Sequence, residues 1–153
     1  MTSAKLAIKA LLDNSTNGVK VYDDTTPTPV QLTGKSQETR PDDNDFATNV
    51  YVISIGPVYG SDSRFSAMGA AKKWIKEFIQ VDIWVMERRS QTWAAEKTRS
   101  DLVQEVDRCL LHYASTPGTG FRVVNATSWR ELDESGMKHS SVDVVMEYEK
   151  ARA

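Results

Sequence analysis

Few residues of this chain have both the type and the spacing that chemistry needs. Cys109 and His112 stand three apart, a separation that places two side chains as neighbours on one helix face, so a thiol nucleophile with an imidazole base is the first arrangement to weigh. Cys109, however, falls in the apolar stripe of Leu102, Val103, Val106, Leu110 and Tyr113, and a thiol in apolar surroundings keeps its proton and reacts poorly. His139 lies beside Lys138 and near Asp133 and Glu134 in what reads as a polar turn, where acid-base work competes with the simpler reading of a solvent-exposed imidazole. A catalytic pair of carboxylates needs a fixed separation. Asp42, Asp43 and Asp45 sit in an irregular segment, and Glu147 with Glu149 is expected to alternate outward along a strand.

The remaining constellations fail on spacing. Asp42, Asp43 and Asp45 lack the turn glycine and the distant glutamate of a calcium loop. Gly69-Ala70-Ala71-Lys72 lacks the spacing and the following hydroxyl of a phosphate-binding loop, and Gly118-Thr119-Gly120 lacks the third glycine of a dinucleotide fingerprint. One cysteine and two histidines leave little for a metal site or an internal disulfide. No metal and no cofactor is expected, and the chain is expected not to be an enzyme.

Composition narrows the partners. The chain has 153 residues, 40% hydrophobic and 26% charged, the balance of one ordinary domain, with a core large enough to form without staples. Its net charge of −2 supplies no overall positive field to gather nucleic acid. No apolar run approaches the roughly 20 residues that cross a bilayer, and Met1 to Ala10 lacks the apolar block of a signal peptide. The expectation is a protein made and kept inside a cell, with no membrane partner, in which the sequons at Asn14 and Asn125 have no consequence.

The elements that would position any site follow from periodicity. Thr2 and Ser3 can cap a short helix whose apolar positions Ala4, Ala7, Ile8, Leu11 and Leu12 share a face, stopped at Asn17-Gly18. Val19 to Tyr22 reads as a brief strand. Residues 23–49 carry Pro27, Pro29 and Pro41 with little apolar periodicity and are expected to be mostly loop, a length that is commonly functional. Val50 to Ile55 reads as a strand ended by Gly56-Pro57, and residues 58–72 as an extended hairpin loop.

From Trp74 to Met86 the positions Ile75, Ile79, Val81, Ile83 and Val85 alternate with polar residues, which predicts a long strand. Its other face also carries Trp74, Phe78, Trp84 and Met86 and therefore needs a cover, for which a partner chain is one candidate. Thr92 can cap the next helix, which runs to Pro117-Gly118 and carries Glu96, Lys97, Arg99, Asp101, Glu105 and Arg108 on a solvated face. Phe121 to Trp129 and Val142 to Tyr148 read as a closing hairpin around a polar turn over Asp133 to His139. The sum is an α+β fold over residues 1–153 as a single domain, with a mostly antiparallel sheet of about four to five strands packed by two α-helices and long inter-strand loops.

With chemistry largely excluded, surface remains. Four tryptophans and the accompanying Phe and Tyr exceed what a polar hairpin displays, and aromatics anchor protein interfaces. Tyr59, Phe65, Trp74, Trp84 and Trp93 are the candidate subunit or partner contacts. The order of elements then resembles a family. A first helix with the core Ala7-Ile8-Lys9-Ala10-Leu11-Leu12, a long hairpin ending in Phe78 to Val85, the helix from Leu102 to Leu111, and the hairpin of Arg122 to Trp129 with Val142 to Tyr148 resemble the tail terminator, or tail-completion, proteins of long-tailed phages and archaeal tailed viruses.

That resemblance implies a structural virion protein, made in the host cytoplasm, that assembles as a ring, typically hexameric, on the head-proximal end of the tail tube. Such a ring ends tube growth and joins the tail to the neck, so the implied partners are other copies of this chain, a tail tube protein and a neck or connector protein. DNA would pass through without specific binding. Asp42, Asp43, Asp45 and Asp62 are then candidates for acids lining or rimming the lumen, with solvated loop acids as the ordinary alternative. Head-completion or neck connector protein is the neighbouring reading. A non-viral protein-binding α+β domain and a small hydrolase using His139 or Cys109 are the readings from other classes.

Overall fold

The computed structural model describes residues 4–13, 18–23, 27–65, 72–87, 94–115, 121–134 and 136–151. Thr92 and Trp93, with the capping residues Thr2 and Ser3, lie outside them. The first helix, α1 (Ala4–Asp13), buries Ala7, Ile8, Leu11 and Leu12, the stripe its spacing predicts. The second, α2 (Ala95–Ser115), buries Leu102, Val106, Cys109 and Leu110. Both lie on one face of a six-stranded sheet.

The strands in chain order are β1 (Tyr22–Asp23), β2 (Val30–Gln31), β3 (Gly34–Gln37), β4 (Tyr51–Phe65), β5 (Lys72–Met86), β6 (Phe121–Ala126), β7 (Arg130–Glu131) and β8 (Met137–Ala151). β1 and β2 form a small antiparallel ribbon, while the main sheet has the order β3-β4-β5-β8-β6, with β7 also paired to β8. Every pairing in it is antiparallel except β3 with β4. The fold is α+β, as the sequence predicts.

The alternation along β5 and β8 decides the core. Ile79, Val81, Ile83 and Val85 meet Val142, Val144 and Met146 on the helix-bearing face, together with Ile53, Ile55 and the buried sides of both helices. Each aliphatic side chain so buried contributes about 1.5–3 kcal/mol, which makes this layer the main source of stability. Trp129 packs at its margin and donates from Nε1 to Asp107 Oδ1 at 3.1 Å.

The segment expected to be loop over residues 23–49 is more ordered than its composition suggests. It holds β1, β2, β3 and a 3-10 turn, Asp43–Phe46, whose Asp42 and Asp45 cap each other reciprocally. Its length has a topological reason. Two adjacent parallel strands cannot be joined by a tight turn and need a crossover of about a dozen residues, and residues 38–50 are that crossover between β3 and β4. It crosses the helix-free face, where Phe46 is buried against Val52 and Trp84.

Residues 58–72, expected as loop, are largely strand: β4 runs on to Phe65 and β5 begins at Lys72. Gly56 and Pro57 do not end β4. They fall in a bulge between Ile55 and Val58, beyond the last residue that β3 pairs, on an outer edge where the missing N–H of proline costs no ladder bond. Glu147 was expected to point outward and is instead buried, opposite Lys76 on one neighbour and Arg122 on the other. Arg99, expected on a solvated helix face, is buried as well.

Candidate functional site

The helix-free face of β4, β5 and β8 carries a compact polar and aromatic cluster. Period-2 alternation puts the odd positions of β5 on the core side and Gln80, Asp82 and Trp84 on the other. Cross-strand register then sets Ser54 opposite Asp82, Asp82 opposite Ser141, and Trp84 opposite His139. Ser54, Asp82, Trp84, His139 and Ser141 are all buried.

His139 is therefore neither in a turn nor exposed. The turn closes earlier, at Gly136, whose φ of +75° suits glycine, and β8 has already begun at Met137. The imidazole stacks on Trp84 with ring centroids 3.6 Å apart and 10° between planes, and its Nε2 lies 2.7 Å from Asp82 Oδ1. Gln80 Nε2 donates to both Asp82 oxygens, at 3.1 and 3.0 Å. Burial pushes the Asp82 carboxyl up, but hydrogen bonds from His139, Gln80 and Ser141 outweigh it and hold the group below the ordinary carboxylate range. An ionised carboxylate can only accept, which puts the proton of His139 on Nε2. Trp84 Nε1 donates to Ser54 Oγ at 2.8 Å.

This arrangement orients groups rather than activating one. Among the described residues His139 Nδ1 is buried with no hydrogen-bond partner, and none of them places a hydroxyl where the nucleophile of a Ser-His-Asp relay would stand. Cys109 lies on the opposite side of the sheet in the apolar core, and burial raises its pKa. The side chain of His112 lies outside the described residues. No group of three or more metal-ligating side chains occurs among the described residues.

Charge is concentrated at the mouth of this face. Arg40 Nη2 donates to both oxygens of Glu134 at 2.9 Å, and the Arg40 guanidinium stands 4.9 Å from the Trp84 ring centroid. Behind it, at the start of α2, the buried Arg99 guanidinium pairs with Glu96, Glu131 and Asp133, and Lys138 adds contacts to Glu87, Glu96 and Asp133. A cavity of about 420 Å³ opens between α1 and β3, lined by Asp13, Lys20, Thr33, Lys35, Ser36 and Tyr51 among others. Burial and the nearby Asp13 push the Tyr51 phenol up to about 12, so it is a hydrogen-bond donor there and not a base.

The residues singled out from sequence separate as follows. Trp84 is used inside the chain, covered by Phe46, Val52, His139 and Arg40, and only 5% exposed, so its cover comes from the crossover and not from a partner. Tyr59, Phe65 and Trp74 are placed by register alone, opposite Phe78, Lys73 and Arg64, and their side chains lie outside the described residues, as does all of Trp93. Asp42 and Asp43 are exposed. Asp45 is engaged by Lys35 Nζ at 2.6 Å and by Gln37, and these bonds with that from the Asp42 amide hold its carboxyl at about 2. Asp62 faces Lys76 in register, its side chain likewise outside the description.

Sequence reasoning missed Asp82, Ser54, Ser141, Arg40 and Phe46. The one available signal was the second face of β5, where Trp74, Phe78, Trp84 and Met86 ask for a cover. No protein-family model matches the chain, and no curated protein matches it at a significant level.

Proposed function

We propose that this chain is a structural subunit of a ring at the head-proximal end of a viral tail tube, where it ends tube growth and joins the tail to the neck. The observation that carries the reading is the pair of unlike edges on the main sheet. On one side β3 pairs only with Tyr51 to Ser54, so among the described residues β4 has no outer partner from Ile55 to Phe65. On the other side β6 (Phe121–Ala126) is outermost. An open edge is a ready template for another chain.

The strand directions favour a head-to-tail contact. β4, β5, β8 and β6 alternate in direction, so a sheet continued from copy to copy by rotation brings β6 of one subunit antiparallel to β4 of the next. Two different edges that meet in this way make a heterologous contact, the kind that closes into a ring when the rotation between copies divides a full turn. A net charge that gives DNA no grip fits a ring through which DNA passes.

The reading is tested by asking where the protein resides. Purified virus particles should contain it at a few copies each, with gold-labelled antibody at the head-tail junction. Particles that lack it would overturn the proposal. Binding of the purified chain to tail tube ends rather than to isolated connectors separates terminator from neck protein.

A further inference from the structure

We propose that residues 38–49 are a releasable strap, which opens as a unit and uncovers the second apolar cluster while the six-stranded sheet stays folded. This inference stands apart from the ring reading. The strap is stiffened from within. Asp42 and Asp45 cap each other through their backbone amides, and Asn49 Nδ2 donates to the Asp45 carbonyl at 2.8 Å. Such a segment moves about its two ends rather than unravelling.

Its hold on the sheet is slight. One side chain, Phe46, is buried, against Val52 and Trp84. One ion pair, Arg40 with Glu134, reaches across to the turn before β8, and its side chains are 66% and 51% exposed. The remaining ties lie beside its first hinge: Asp45 with Lys35 and Gln37 of β3, Gln37 with the Thr39 carbonyl, and Glu38 with Lys5 of α1 at 3.5 Å. Exposed ion pairs contribute little and are screened by salt. By contrast, β5 and β8 are paired without a break from Lys72↔Ala151 to Met86↔Met137. Segments with few buried apolar contacts open at free energies well below that of global unfolding. What the strap covers is specific: Phe46 and Arg40 lie on Trp84, and Val52, Met86 and Met137 complete the apolar patch.

The test is hydrogen exchange read by NMR on the full chain. The Trp84 indole N–H, bonded to Ser54 Oγ, reports on the strap, and the amides of Ile79, Val81 and Ile83 report on the sheet. The Trp84 indole should exchange faster than those amides, and Arg40→Ala or Glu134→Gln should speed it about fivefold with the β5 amides unchanged. Salt of about 1 M should act in the same direction on the native chain, without any substitution. Exchange of the Trp84 indole in step with the β5 amides would overturn the proposal. So would variants that speed both equally.

Discussion

His139 Nε2 lies 2.7 Å from Asp82 Oδ1, a diagonal contact across the β5–β8 pair, while the same imidazole stacks on Trp84 directly opposite. The histidine thereby fixes two neighbours on the helix-free face at once. Both Asp82 and His139 are buried, so removing either partner leaves a polar group short of a hydrogen bond.

Asp82→Asn is expected to cost about 1–3 kcal/mol at neutral pH. Since the folded carboxyl is held below its ordinary value, its contribution is complete above the unfolded pKa of about 3.9 and is lost as pH falls through the folded value. Urea unfolding should therefore show the gap between variant and wild type closing below about pH 4. A gap independent of pH would show that the carboxylate is not the stabilised form.

Gly34→Ala is expected to destabilise by about 1–3 kcal/mol, because a Cβ on Gly34 would fall 2.1 Å from the Tyr51 ring across the parallel β3–β4 pair. Combining it with Tyr51→Leu should recover part of the loss. Thermal melts of the four-member cycle measure this, and purely additive effects would contradict the contact.

Arg99→Met is expected to cost about 1–3 kcal/mol, since Glu96, Glu131 and Asp133 converge on one buried guanidinium but are themselves open to solvent, which takes up their charge when it is removed. Arg99→Lys should restore little, because an ammonium cannot serve several carboxylates with a planar fork. Denaturant midpoints decide it.

Cys109 is fully buried, and its thiol is pushed up by burial. A thiol reagent at neutral pH should modify it only at the rate of unfolding. Rapid labelling of the folded chain would refute that placement.

The sequence was most informative where one face of an element is apolar and the other is not. The stripe of α1, that of α2 from Leu102 to Leu110 and the alternation from Ile79 to Val85 appear as read, because burial on one side leaves a period in the sequence. β3 is invisible in that language: Gly34-Lys35-Ser36-Gln37 is polar throughout and is a strand only because Tyr51 to Ser54 offer it an edge. His139 was misread for a related reason. Glu134 to Lys138 look like a turn, and the partners that bury the imidazole, Asp82 and Trp84, are more than fifty residues away in sequence. The crossover over residues 38–50 kept its polar, proline-bearing composition because Phe46 alone is buried and only Val50, at its end, also packs on the core.

The central claim is assembly through two unlike sheet edges, and the direct measurement is the size and shape of the purified full chain as concentration rises. Sedimentation velocity with negative-stain imaging should give closed rings with a central hole. Replacing Val123 on β6 by proline, which removes an edge donor, should leave folded monomers. A chain that stays monomeric at the highest attainable concentration, or rings unaffected by blocking either edge, would contradict the account.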